Sequence, residues 1–137
     1  MKLLFLDIDG VHITKRSAPN FDEISCANLS DLLHNEPDLR IVISSSRRNV
    51  MPTENLFLWL YNNVPCLAAR GITGVTPSKF WGGRGAEISA WHAPISPMPY
   101  VIFDDKLFSG HGAHLILIDP TRGITALNVA HAQEVLR

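Results

Sequence analysis

Two pairs of aspartates follow apolar runs of this chain, and their spacing suits metal and phosphate chemistry. Asp7 and Asp9 follow one run near the start, and Asp104 and Asp105 follow another. Carboxylates that converge repel one another, and each then resists ionisation. A divalent cation removes this repulsion, and Mg²⁺ suits carboxylate oxygens with some water. We therefore predict a Mg²⁺ site built from these acids, whereas either pair alone would fit a solvated turn.

The spacing of Asp7 and Asp9 also suits phosphoryl transfer. An aspartate beside a metal can act as a nucleophile toward an anionic phosphate. A second acid two residues on can then protonate the leaving oxygen and later activate water. The phosphate oxygens need hydrogen-bond donors, which the Ser44 hydroxyl and nearby backbone N–H groups can supply. A cation from another loop should complete such a site.

The elements that position these groups are predicted from apolar runs, helical periodicity and chain breakers. The predicted strands are 3–8, Leu39–Ile43, Gly71–Val75, Tyr100–Phe103 and His114–Ile118. The predicted helices are Phe21–His34, Thr53–Asn62, Ala86–His92 and Ala126–Leu136, with loops at 12–20 and 76–85. This alternation implies an α/β fold, a doubly wound parallel sheet of order 5-4-1-2-3 with helices on both faces. The carboxyl ends of the first, second and fourth strands then converge on one crevice.

The composition is that of a soluble globular protein, with 46% apolar and 18% charged residues. At 137 residues we predict one domain spanning residues 1–137. The net charge of −1 gives no general attraction to nucleic acid or anionic membranes. The first apolar run ends at Asp7, too early for a signal peptide, and no apolar segment approaches the roughly 20 residues that span a bilayer. We therefore expect a cytoplasmic protein, with Cys26 and Cys66 as free thiols.

The order of these motifs resembles the haloacid dehalogenase (HAD) superfamily over nearly the whole chain. The matching motifs are Asp7-Ile8-Asp9-Gly10-Val11, Ile41-Val42-Ile43-Ser44 and Val101-Ile102-Phe103-Asp104-Asp105. The resemblance is closer still to the small HAD domains of bacterial Swiss army knife RNA-repair proteins and their stand-alone relatives. Those domains show FLDIDGV, SSxxR, RGxEI and a DD strand, which correspond here to Phe5–Val11, Ser44–Arg48, Arg84–Ile88 and Asp104-Asp105.

The resemblance implies different roles for the acids. Asp7 would be the nucleophile, and Asp9 would be the general acid and base. Mg²⁺ would be held by Asp7, Asp104 and Asp105 together with the backbone carbonyl of Asp9.

The resemblance also implies which residues hold the phosphoryl group. Ser44 would bind it, and Ser45 and Gly10 belong to the same predicted phosphate-binding set. The third-motif cation would be Arg84 or Lys79, and the family more often has lysine there. We favour Arg84 because it directly precedes a predicted helix start, where a phosphate is stabilised.

The implied function is that of a Mg²⁺-dependent phosphatase with a phosphoaspartyl intermediate. The loops are too short for a large cap domain. In this superfamily an open site implies either large substrates, such as nucleic-acid or protein ends, or a cap lent by a partner subunit, and a homodimer is one such arrangement. The RNA-repair resemblance favours a polynucleotide or nucleotide phosphate. The alternative is a non-catalytic module that binds metal or a phosphorylated partner.

The sequence leaves two interpretations open for each of several other residues. Arg47 and Arg48 either contact a substrate phosphate or lie on the surface as solvated charges, and relatives often have tryptophan at the position of Arg47. His12 is predicted to be a loop residue, with substrate contact as the alternative. His111 is predicted to lie in a flexible loop, with a transition-metal site as the alternative. The aromatic residues predicted to be core or dimer contacts are Phe57, Trp59 and Trp91.

Overall fold

The computed structural model describes residues 1–78, 83–92 and 98–137, which form a five-stranded sheet covered by helices. The strands are β1 (Lys2–Leu6), β2 (Leu39–Ile43), β3 (Ile72–Val75), β4 (Tyr100–Asp104) and β5 (Leu115–Leu117). The helices are α1 (Glu23–Asn35), α2 (Thr53–Asn63), α3 (Pro65–Arg70), α4 (Gly83–His92) and α5 (Ala126–Val135). A 3-10 turn at Ser46–Asn49 joins β2 to α2.

The first strand lies at the centre of the sheet, with β2 and β4 as its neighbours. The strand order is β3-β2-β1-β4-β5, and each of these pairings is parallel. Leu6 is in register with Ile43 of β2 and with Phe103 of β4. The three strands therefore end at the same level, and the predicted α/β fold of order 5-4-1-2-3 is confirmed.

The central strand is buried on both faces because its side chains alternate between two layers of helices. Leu4 and Leu6 belong to the larger core cluster, which includes residues of α1, α2, α3 and α5. Leu3 and Phe5 belong to a smaller cluster on the other face, which contains Ile88 of α4. A continuous apolar run thus becomes a strand that both layers cover.

Sequence reasoning misses two short elements and misplaces the start of a third. No element is predicted between Asn62 and Gly71, yet Pro65 begins α3, where the missing proline N–H has no helical partner to lose. Ser45 caps the 3-10 turn, since its side chain accepts a hydrogen bond from the Arg47 N–H. The fourth helix begins at Gly83 rather than at Ala86. The described part of the chain contains no large cap domain, and no helix in it has both the length and the apolarity to cross a membrane.

Candidate functional site

The loop after β1 carries the first acid pair and is closed by its own backbone. The strand ends at Leu6, before the predicted end at residue 8. The Asp7 N–H donates to the carbonyl of Phe103 in β4 at 3.0 Å. The Ile8 carbonyl then accepts hydrogen bonds from three following N–H groups at 2.8 to 3.1 Å. This tight turn fixes Asp7 at the carboxyl end of the central strand.

Gly10 lets the second acid pair approach this loop. Its φ of +80° lies in the left-handed region, which favours glycine. A Cβ at this position would overlap Oδ2 of Asp105 and would lie 2.5 Å from Cγ of the same side chain, far inside van der Waals contact. Only a residue without a side chain therefore permits the observed distance between the two loops.

Three carboxylates converge where β1 and β4 end. Oxygens of Asp7, Asp104 and Asp105 lie within 4.8 Å of one another. Asp7 and Asp104 are buried, and Asp105 is half-buried. Oδ1 of Asp105 is buried and has no hydrogen-bond partner among the described residues. The cluster thus offers one buried oxygen, Oδ1 of Asp105, that the described part of the protein leaves unsatisfied.

The protonation of this cluster depends on what neutralises it. Burial, together with the charge of Asp104, raises the pKa of the Asp7 carboxyl to about 8. Burial also raises the pKa of Asp104. A bound cation would reverse these shifts because it stabilises the ionised carboxylates. The three acids therefore fit a hard divalent cation such as Mg²⁺.

Arg84 lies in the first turn of α4 and supplies positive charge to the same cluster. One of its guanidinium nitrogens lies 2.5 Å from Oδ2 of Asp104 and 3.4 Å from Oδ1 of Asp7. The same nitrogen donates to the backbone carbonyl of Ser44 at 2.8 Å. Arg84 therefore joins the ends of three strands. The other candidate for this cation, Lys79, lies outside the described residues.

The serines after β2 have different surroundings. The Ser44 hydroxyl is buried and has no hydrogen-bond partner among the described residues, so it is free to donate to a bound oxyanion. The Ser45 hydroxyl caps the 3-10 turn by accepting from the Arg47 N–H at 3.3 Å. Ser45 is fully buried, and the phosphate contact expected from sequence stays a prediction.

The carboxylate of Asp9 does not belong to the three-acid cluster and binds Arg47. Nε and one terminal nitrogen of Arg47 donate to the two oxygens of Asp9 at 3.0 and 2.9 Å. The guanidinium carbon lies 4.6 Å from the ring centroid of Trp59, a distance typical of a cation–π contact. Arg47, for which the sequence leaves two interpretations, is therefore beside the proposed proton donor.

Arg48 is not a surface charge, which corrects one of the two interpretations above. It forms a buried ion pair with Glu87 of α4, and the two side chains are 6% and 10% exposed. Arg48 also donates to the carbonyl of Ser45, and to that of Pro77 at 3.4 Å. The sequence contains a signal for this pair, because SSxxR carries a positive charge and RGxEI a negative one at fixed positions. Their pairing becomes visible only in the folded structure, where the turn after β2 meets α4.

The histidines near the acids are structural. His12 is fully buried, its Nδ1 lies 3.7 Å from Sγ of Cys26, and burial lowers its pKa to about 4. His111 is buried between α4 and β4, where its ring nitrogens lie 2.8 Å from the Tyr100 hydroxyl and 2.9 Å from the Gly85 carbonyl. His111 is thus held on both sides, which corrects the prediction of a flexible loop at this position.

Comparison with known proteins identifies the family. A family model described as "HAD domain in Swiss Army Knife RNA repair proteins" matches residues 3–129, nearly the whole chain. Searches against curated proteins and against solved structures give no significant match. The match spans β1 to β5 and therefore includes every side chain of the site.

Proposed function

The chain belongs to the family of HAD domains in Swiss Army Knife RNA repair proteins, and from this we propose that it is a Mg²⁺-dependent phosphomonoester hydrolase with a phosphoaspartyl intermediate. One observation carries the proposal. The three-acid cluster, Arg84 and the free Ser44 hydroxyl lie together where the central strands end. An anion-binding set beside an acid nucleophile suits a phosphate monoester.

The metal would be held by Asp7, Asp104 and Asp105, with the backbone carbonyl of Asp9 as a further proposed ligand. When bound, Mg²⁺ would neutralise charge on the carboxylates and on the phosphate. The unsatisfied Oδ1 of Asp105 and the raised pKa of Asp7 both support a cation at this place.

The reaction assigned to these residues has two steps. In the first, a carboxylate oxygen of Asp7 bonds to phosphorus as the bond to the leaving oxygen breaks, and Asp9 gives that oxygen a proton. In the second, Asp9 takes a proton from water, which attacks phosphorus and breaks the bond to Asp7. Ser44 and Arg84 would stabilise the charge on the transferred oxygens.

The proposed substrate is a phosphate at the end of a polynucleotide, or on a nucleotide. The family is that of HAD domains in RNA repair proteins, and the described residues leave the carboxyl edge of the sheet without a large cap. Large ends can reach a site of this kind. A cap lent by a second copy, as in a homodimer, stays a prediction.

The proposal is tested by measuring Mg²⁺-dependent phosphate release from an aryl phosphate and from 3′- and 5′-phosphorylated RNA. We expect the wild type to turn over at least one of them, Asp7→Asn to abolish turnover, and Asp9→Asn to slow it. Asp31→Asn, at an exposed position in α1, is the matched control and should behave as the wild type. Turnover that survives in Asp7→Asn would refute the nucleophile assignment.

A non-catalytic module is the second candidate, and the Asp9–Arg47 pair is the observation that favours it. Both carboxylate oxygens of Asp9 accept hydrogen bonds from Arg47, so neither is free to contact a leaving group while the pair is intact. If the wild type binds Mg²⁺ but releases phosphate from none of these substrates, the module is the better description.

A further inference from the structure

Arg47 stands on the side of the site that faces the leaving group. This follows from the proposed function, on which the inference rests: Asp9 protonates the leaving oxygen, so whatever touches Asp9 lies near the group that departs. We infer that Arg47 is a binding site for a second anionic group on the substrate, a phosphate or phosphodiester attached to the leaving alcohol. Without such a substrate, Asp9 is the group bound to this guanidinium.

The geometry of the pair supports an exchange of partners. Arg47 donates hydrogen bonds to both oxygens of Asp9 at 2.9 and 3.0 Å, and the same planar guanidinium can donate to two oxygens of a phosphate. The two side chains are 32% and 49% exposed, so the pair is open to solvent and to ligand. Exposed ion pairs contribute little to stability, and a second anion can therefore replace Asp9 at small cost.

One further contact, with Trp59, holds the Arg47 guanidinium in place when Asp9 leaves it. Its carbon lies 4.6 Å from the ring centroid of Trp59. Trp59 is in turn packed edge-on against Phe21, with 5.0 Å between the ring centroids. By contrast, the carboxylate partners of Arg48 and Arg84, which are Glu87 and Asp104, are buried. Arg47 is thus the arginine of the site whose carboxylate partner is exposed.

This arrangement links substrate choice to the proton donor. A substrate with a second phosphate on its leaving alcohol would bind the guanidinium in place of Asp9, and the oxygens of Asp9 would then be free to contact the leaving oxygen. A monophosphate with an uncharged alcohol leaves Asp9 paired. Nucleic-acid ends have this second group, because the sugar that carries the terminal phosphate also carries a phosphodiester. The inferred substrate class is therefore an end of a nucleic-acid strand or a nucleoside bisphosphate.

The test compares kcat/KM for substrates that differ only in the second anion. One series is a nucleoside 3′-phosphate, a nucleoside 3′,5′-bisphosphate and a dinucleotide with a 3′-phosphate, and the mirror series carries the reacting phosphate on the 5′ oxygen. We expect the wild type to prefer the substrates with a second anion by about tenfold or more, the range of a charged hydrogen-bonded contact. Arg47→Gln should remove most of that preference. Arg40→Gln removes the same charge from an exposed residue of β2, near the opposite end of the strand, and should keep the preference.

The outcomes separate the sources of the second anion. If the wild type prefers the bisphosphate and the dinucleotide equally, the inference is supported and a nucleotide is a sufficient ligand. If the wild type prefers only the dinucleotide, the inference is supported and the ligand is a strand end. A wild type without preference overturns it. So does an Arg47→Gln variant that lowers kcat/KM for every substrate by the same factor, because Arg47 would then only position Asp9.

A binding measurement keeps this inference distinct from the proposed function. In Asp7→Asn, the dissociation constants of the same substrates are measured with and without Arg47→Gln. A preference for the second anion that Arg47→Gln removes supports the anion site even if the wild type shows no turnover. Equal dissociation constants across the series overturn the anion site even if the wild type is an active phosphatase.

Discussion

Gly10 is the residue at which a single added carbon would disturb the acid cluster. A Cβ there would overlap the Asp105 carboxylate, with only 2.5 Å between it and Cγ. We therefore expect Gly10→Ala to weaken Mg²⁺ binding by about tenfold or more, in line with the loss of ordered ligand geometry. Isothermal titration with Mg²⁺ measures this effect.

Gly71→Ala is the matched control for that substitution. Gly71 has nearly the same φ, +81°, but among the described residues no atom lies within 4 Å of the place that a Cβ would take. It therefore shares the backbone strain of Gly10 without the collision. Equal losses of Mg²⁺ affinity in the two variants would show that strain, and not contact with Asp105, is responsible.

His12 makes stability depend on pH. Its pKa falls from 6.5 to about 4 on burial, so the unfolded chain binds a proton in that interval and the folded chain does not. We expect the resulting contribution of His12 to the free energy of unfolding to be present above pH 6.5. It should be lost as pH falls through 6.5 toward 4, by about 3 kcal/mol in total. Urea unfolding of the wild type and of His12→Gln at several pH values measures it.

We expect His12→Gln to flatten this part of the stability profile. His34→Gln, at an exposed position in the last turn of α1, should leave the profile unchanged. If the wild type and His12→Gln lose stability in parallel between pH 6.5 and 4, another group is responsible for the dependence.

At the scale of elements, one buried ion pair fixes the start of α4 against the end of β2. Glu87 lies one turn beyond Arg84 in α4, and its partner Arg48 lies in the 3-10 turn that follows β2. Glu87→Gln leaves a buried guanidinium without its charge partner, and we expect it to lower the free energy of unfolding by about 3–5 kcal/mol. We also expect kcat to fall, because Arg84 would lose its fixed position.

The control for this prediction is Glu36→Gln, which breaks the more exposed pair with Lys2 at 3.1 Å. It should change the free energy of unfolding by at most about 1 kcal/mol. Urea unfolding and steady-state kinetics on both variants decide the matter. A Glu87→Gln variant as stable as Glu36→Gln would show that the pair is dispensable.

The strands and helices also show which parts of the fold can be predicted from the sequence. Strands are recognisable because apolar runs such as Leu3–Leu6 stop at charged residues, and the sheet order follows from their alternation with helices. The helix α3 is missed because Pro65 is ambiguous between a break and a first helical residue. The pairs Arg48–Glu87 and Asp9–Arg47 are missed because each joins residues that are far apart in the chain, and local patterns do not encode those distances.

At the scale of the whole molecule, the sheet separates two layers that carry different tryptophans. Trp59 packs against the core cluster shared by α1, α2 and α5, and Trp91 packs against the cluster on the opposite face. If residues 1–137 are one domain, as we predict, both layers should unfold together. The emission of each tryptophan in thermal unfolding tests this.

Two variants isolate the two reporters. Trp81→Phe with Trp91→Phe leaves Trp59, and Trp59→Phe with Trp81→Phe leaves Trp91. We expect each variant to show one transition whose fluorescence midpoint agrees with its far-UV circular dichroism midpoint, and Mg²⁺ to raise both. Midpoints that differ between the two probes of one variant would indicate more than one cooperative unit.

The central position of β1 also sets the order in which the site can form during synthesis. Leu3 pairs with Tyr100, and the Asp7 N–H bonds to the carbonyl of Phe103, so one edge of β1 has no partner until β4 has left the ribosome. The other edge can pair with β2 much sooner, because Leu39 follows after a shorter stretch of chain. A nascent chain that stops before β4 therefore holds the first acid pair and the Ser44 strand without Asp104 and Asp105. If the complete cluster binds a metal, as we propose, it can do so only late in the synthesis of each molecule.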